Sequence, residues 1–308
     1  MNTKYQGFFK GWVIGTIHSS DTKSNSNPKR IINVATTQCG ADTQLTENLM
    51  KSMLASVTPG EIIALHVIIS DDTPREALDK MKELWELGGM RLSFHDAALH
   101  RNGTSHFATC AMDRLILPDL VSARYVIYLD RDTLVMKSLR QLHDAGMKMG
   151  EKFIGIVPEG GSWYTTNHGR TNSGVTYVGS SGVNTGVMLM NLQKMRKTNF
   201  LKEILAYSKD VPNLTLGDQD LINHYFARRK NDVLILPCSF NYRIVRSVAT
   251  ECTCDDIEEL SAHVECLNRN NLDDAVILHG NRKVFLYGNS TFAEVWHQLR
   301  RDIVLGDW

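Results

Sequence analysis

Tyr125-Val126-Ile127-Tyr128-Leu129 runs straight into two aspartates, Asp130 and Asp132. A β-branched and aromatic run with almost no polar relief reads as a strand covered on both faces, as in a parallel sheet between helical layers. The rest of the chain alternates in the same sense. Residues 31–35 predict a first strand, followed by a helix with Leu45, Leu49 and Met53 on one face. A second strand is predicted at 62–69. Pro74 then opens a helix that Gly88-Gly89 ends. Further strands are expected at 90–94, 153–157 and 275–278, with helices at 108–117 and 291–304. Alternation of this kind predicts an α/β fold with a mostly parallel central sheet.

Asp130 and Asp132 would then stand at the carboxyl end of a sheet strand, the edge where open α/β sheets bind ligands. Paired carboxylates there suit a hard cation or the acid and nucleophile of a phosphatase, or they cap the next helix. The phosphatase pattern of haloacid-dehalogenase-like enzymes fails on spacing: Thr133 follows Asp132 at once, and Leu134 stands where that Thr belongs. Cation site and helix cap stay open on these residues alone.

The 308 residues hold 34 basic and 34 acidic side chains, so no net charge marks a nucleic acid as a partner. No run of about 18 apolar residues is present to span a membrane. Residues 1–29 read as a poorly ordered lead-in, and 30–308 show no domain boundary. Residues 159–181 are rich in Gly, Ser, Asn and Thr, which predicts a long loop over the ligand edge, either a lid or a surface insertion. Of six cysteines, Cys238, Cys252, Cys254 and Cys266 cluster in a polar region. Their C-x-C spacing with only His263 nearby suits disulfides better than zinc, and so an oxidising compartment. Asn102, Asn213 and Asn289 open glycosylation sequons, a number near chance for this length.

Three later segments join polar residues to apolar runs. GVNTGVMLMN sets Asn184 between two glycines, so that backbone can approach a ligand closely. GDQDLIN carries Asp218 and Gln219, and His279 ends the last strand. Each has a plainer reading: Asn184 a turn residue, Asp218 a helix cap, His279 a hydrogen-bonded core histidine. Taken in order with Asp130-x-Asp132, they resemble glycosyltransferase family 8, retaining nucleotide-sugar enzymes that include glycogenin and bacterial galactosyltransferases. The likeness covers about residues 31–299. It is nearest to the glucoside xylosyltransferases through GVNTGVMLMNLQKMRK, LGDQDLINHYF, LPCSFNYR, VILHGNRKV and CAMDRLILP. Cys39, Cys110 and Cys238 fall where that subfamily has cysteines.

The resemblance implies a GT-A (Rossmann-like) catalytic domain over 30–308, a UDP-sugar donor, and Mn2+ with Mg2+ as the substitute ion. It implies Asp130, Asp132 and His279 as metal ligands. Asn184, Asp218 and Gln219 would hold the transferred sugar; retention implies either attack on the same face or a covalent intermediate, with Asp218 the carboxylate to watch. Donor binding would fall to Ala35, Thr36, Thr37 and Arg114, together with Gly280, Asn281, Arg282 and Lys283. The last four replace the family's usual His-x-x-Gly-x-x-Lys continuation, and Arg131 stands where small residues are commoner. The implied reaction moves xylose from UDP-xylose to O-linked glucose on EGF-like repeats, with an α-1,3 linkage. Alternatives are a galactose or glucose donor, or a non-catalytic UDP- or glycan-binding protein. Such xylosyltransferases are Golgi or ER membrane proteins with an N-terminal anchor. No anchor stands in this sequence, so the expectation is a truncated luminal domain, type II if the anchor is missing, or a soluble relative.

Overall fold

The structure, a computed structural model, describes residues 30–70, 73–87, 90–97, 110–159, 174–179, 182–211, 214, 216–245, 248–249 and 275–280. In chain order, strand β1 (Arg30–Gln38) leads to helix α1 (Gln44–Ser56), β2 (Glu61–Ile69), α2 (Arg75–Leu87) and β3 (Arg91–Asp96). A 3-10 helix (Cys110–Ile116) runs into the short α3 (Leu117–Leu120). There follow β4 (Tyr125–Leu129), β5 (Thr133–Val135), α4 (Arg140–Lys148) and β6 (Ile154–Pro158). Then come β7 (Val183–Asn191), α5 (Leu192–Lys197), α6 (Phe200–Tyr207) and α7 (Asp218–Phe226). The described residues close with β8 (Val233–Ile235), β9 (Tyr242–Val245), β10 (Val248–Ala249) and β11 (Ile277–His279).

Seven strands form the main sheet in the order β3-β2-β1-β4-β7-β6-β8, and β10-β9-β11-β5 form a smaller one. In the main sheet only β7 runs against its neighbours; the other pairings, β1 with β2 and β4, β2 with β3, and β6 with β8, are parallel. The mostly parallel α/β sheet is therefore as the sequence predicts.

Strand β4 is covered on both faces, as its composition requires. Val126 and Tyr128 pack into one core layer with Met188, Phe200, Leu221 and Phe226. Ile127 and Leu129 pack into the other with Leu49, Met53, Trp85 and Leu142. The helical reading of 108–117 resolves into a tighter form: the 3-10 turn passes into α3 with Pro118 in its first turn, where a missing N–H costs nothing. Cys39 at the end of β1 and Cys110 at the start of that turn form a disulfide, Cα–Cα 6.2 Å. Cys238 is disulfide-bonded as well.

The lead-in 1–29, most of the 159–181 loop, Cys252, Cys254 and Cys266, the three sequon asparagines, Asn281 to Lys283 and the closing helix at 291–304 also lie outside them. Among the described residues no helix is long and apolar enough to cross a membrane.

Candidate active site

The two aspartates do not cap a helix. They form a turn between β4 and β5: Thr133 donates its N–H (3.0 Å) and its hydroxyl (2.7 Å) to the Asp130 carbonyl. The third ligand arrives by strand pairing. β11 runs antiparallel to β5 with His279 opposite Thr133, and the Gly280 N–H donates to the Asp132 carbonyl at 2.7 Å. His279 Nε2 then lies 3.4 Å from Asp132 Oδ1 and 3.9 Å from Asp130 Oδ2. One ligand atom from each of Asp130, Asp132 and His279 falls within 4.8 Å of the others. Two hard carboxylate oxygens and one imidazole nitrogen suit Mn2+ or Mg2+. Burial alone would raise the Asp132 carboxyl; the facing His279 ring, with a backbone hydrogen bond and the Arg114 charge, more than offsets it and holds that carboxyl below its ordinary value.

Asp130 is oriented from behind. Its Oδ1 takes Arg114 Nη2 at 2.9 Å and the Tyr128 hydroxyl at 3.1 Å, which leaves Oδ2 on the ligand side. Tyr128 shares a further hydroxyl contact with Thr37 Oγ1, 3.2 Å. Arg114, 5% exposed, also reaches the Thr185 carbonyl at 3.0 Å and Asp218 Oδ2 at 3.3 Å, and stacks over the Tyr128 ring. The guanidinium thus ties Asp130 to Asp218. Asp218 Oδ2 nonetheless has no hydrogen-bond partner among the described residues. Burial pushes the Asp218 carboxyl up to about 6, opposed by Arg114 and reinforced by the Asp130 charge. Asp218 sits in the first turn of α7, after Gly217 at a left-handed φ of 59°.

Antiparallel β7 explains how Asn184 joins this group. Asn184 is near the start of β7, and the reversal brings that start beside the end of β4, where the Asp130 N–H donates to the Gly186 carbonyl at 2.8 Å. The register with β6 also shifts here, from Ile156 opposite Met188 to Val157 opposite Asn184. Asn184 is therefore a buried strand residue and not part of a turn. Its Nδ2 donates to Glu159 Oε2 (2.8 Å) and Gln219 Oε1 (3.1 Å), and Gln219 Nε2 donates to the same Glu159 oxygen at 3.1 Å.

Gly186 gives room to His279: a Cβ there would stand 2.8 Å from Nε2, 2.5 Å from Nδ1 and closer still to Cε1. Ala35, Thr36 and Thr37, near the end of β1, are all buried, with Ala35 in the core. Arg131 turns away from the metal ligands and donates to the carbonyls of Cys39 (2.9 Å) and Asp42 (3.3 Å), fixing the loop after β1.

Several site residues had no signal of their own in the sequence. Asn241 bridges Asn184 and His279, with its Nδ2 2.8 Å from Asn184 Oδ1 and its Oδ1 2.9 Å from His279 Nδ1. Arg243, 4% exposed, holds Glu159 with Nη1 at 2.8 Å and the Pro158 carbonyl with Nη2 at 2.8 Å. Asn241 and Arg243 lie within LPCSFNYR, one of the stretches that carried the resemblance, but their partners stand 38 to 85 residues away.

Known proteins share both the sequence and the architecture. Glucoside xylosyltransferase 1 of Mus musculus is 25% identical over 285 residues, covering 84% of this chain and 65% of its own. The Danio rerio protein of that name is 30% identical over 204 residues, 60% of this chain and 46% of its own. The chain thus spans roughly half to two thirds of the length of these relatives. Among solved structures, mouse xyloside xylosyltransferase 1 superposes with a TM-score of 0.56 at 19% identity, covering 82% of this chain and 98% of that one. The galactosyltransferase LgtC, solved with donor and acceptor sugar analogs, superposes with 0.65 at 18% identity, covering 89% and 96%. These likenesses make the fold GT-A. Residues 27–273 match the family described as glycosyl transferase family 8, and the chain belongs to that family.

Proposed function

We propose that this chain is a retaining, metal-dependent transferase that moves a sugar from a UDP-sugar to a glycan acceptor. The observation that carries this is the convergence of Asp130, Asp132 and His279 beside a buried wall of Asn184, Asp218 and Gln219. A divalent cation there, Mn2+ or Mg2+, would offset the charge that develops on a departing diphosphate. The protein's own groups do the positioning. Arg114 and Tyr128 hold Asp130 with one oxygen turned toward the ligands. The Gln219 amide, fixed by Glu159 and Asn184, offers hydrogen bonds to sugar hydroxyls. Asp218 is itself part of this wall and carries any covalent step.

The donor sugar we propose is xylose, and the acceptor is O-linked glucose on EGF-like repeats through an α-1,3 linkage. The run of glucoside xylosyltransferases among the relatives supports it. The setting we propose is the Golgi or ER lumen, supported by the Cys39–Cys110 disulfide and the bonded Cys238, since such bonds persist in oxidising compartments.

A turnover screen of UDP-sugars on an O-glucose acceptor, with and without Mn2+ and with products weighed by mass spectrometry, tests both levels. A xylose site excludes hexoses by filling the volume of their C6 group, and steric overlap discriminates more strongly than a missing contact. UDP-xylose should therefore be used at least about tenfold better than UDP-glucose or UDP-galactose. Equal or better use of a hexose donor moves the chain to another branch of the family. Metal-dependent UDP-sugar binding without turnover of any donor makes it a binding protein on this fold.

A further inference from the structure

The hydrogen bonds around Asn184 fix the direction of every group out to the candidate metal ligand, starting from one unambiguous donor. The Gly186 backbone N–H lies 3.0 Å from Asn184 Oδ1, and a backbone amide can only donate. That Asn184 atom is therefore the carbonyl oxygen. Asn241 approaches the same oxygen at 2.8 Å and must present its amino group. Its other end, the carbonyl oxygen, then faces His279 Nδ1 at 2.9 Å, so Nδ1 carries a hydrogen. The other ring nitrogen, Nε2, is the one turned toward Asp132 and Asp130. In the opposite direction, the Asn184 amino group is left for Glu159 and Gln219. Asn241 is 2% exposed, Asn184 and His279 4% each, so water does not supply substitutes for these bonds.

We infer that Asn241 is a positioning residue with two separable tasks. Its oxygen holds the His279 ring in the orientation and tautomer that offers Nε2 to a divalent cation. Its amino group holds the Asn184 amide with nitrogen turned to the sugar-facing wall. One side chain thereby couples the cation site to the sugar site. The inference rests on the metal-dependent reading above, and no motif singles this residue out.

The two tasks come apart in two variants of the intact chain. Asn241→Leu removes both bonds. Asn241→Asp keeps an oxygen for His279 Nδ1–H and loses the hydrogens for Asn184. Mn2+ binding alone, followed by the electron paramagnetic resonance of the free ion, reads the first task without turnover. The KM and kcat for UDP-xylose, or for whichever UDP-sugar the wild type uses best, read the second.

Groups that orient a metal-bound histidine typically contribute 10–100-fold in affinity, so Asn241→Leu should weaken Mn2+ binding by about that factor. Asn241→Asp should bind Mn2+ within about threefold of wild type or tighter, yet lose at least about tenfold in kcat/KM. If Asn241→Leu does not fold, Asn241→Asp alone decides by the same split. Wild-type Mn2+ affinity in folded Asn241→Leu overturns the inference. So does a parallel loss of Mn2+ affinity in both variants, which is what a purely structural residue would give. Wild-type protein that binds no Mn2+ removes the metal reading itself, and this inference with it.

Discussion

Asp132→Asn keeps the shape of the side chain and removes the charge that faces His279 at 3.4 Å. A cation that stabilises a leaving group contributes several kcal/mol, so transfer should fall by at least about a hundredfold while the melting temperature of metal-free protein barely moves. Normal turnover of this variant with Mn2+ would refute the metal site. Asp218 makes a different, pH-dependent contribution. Its carboxyl is raised from 3.8 to about 6 on folding, so between those values the native chain holds a proton that the unfolded chain has lost. Its contribution to stability is full below the unfolded value and is lost as pH rises through about 6, a span of about 3 kcal/mol. Metal-free Asp218→Asn cannot titrate. It should gain on wild type by about 2 kcal/mol of that span between pH 4.5 and 7.5 in denaturant melts, and a constant gap between the two proteins would contradict the assignment.

At the scale of elements, the disulfide from the end of β1 to the 3-10 turn closes a loop 71 residues long and braces the turn that carries Arg114. Chain-entropy arguments put its effect at about 4 kcal/mol, so Cys39→Ser with Cys110→Ser should melt well below wild type, and reductant should lower wild type toward the variant. Equal melting with and without reductant would show that the crosslink contributes nothing. Strand β4 was legible to the residue because burial on both faces forces a continuous apolar run, and Asp130 and Asp132 end it abruptly. The strand in GVNTGVMLMN was not legible as antiparallel, since nine buried residues read alike in either direction. That direction decides whether Asn184 meets Asp130 or lies at the far edge of the sheet. The Cys39–Cys110 pairing was equally unreadable, because pairing is set by how β1 and the 3-10 turn pack. Asn241 and Arg243 had no local signal, since every partner that gives them a role is distant in the chain.

Across the molecule, the candidate ligands come from both sheets: Asp130 follows a strand of the main sheet, and His279 ends one of the smaller. A bound cation therefore fastens the β5–β11 pairing to the end of β4. At a hundred times its dissociation constant a ligand adds about 2.7 kcal/mol to stability, which for a chain of this size raises the melting temperature by about 4 °C. Mn2+ should produce that shift in wild type and little in Asp132→Asn; equal shifts would mean the ion binds elsewhere. Gly186 sets a condition on any such molecule that its best-known motif does not express. It supplies the amide that starts the bond sequence and the empty volume that seats the imidazole. A family member with both aspartates intact but any side chain at this position would pass a motif search as active and still be unable to assemble the third ligand. Sorting working transferases from inert look-alikes therefore turns on a missing methyl group as much as on the two carboxylates.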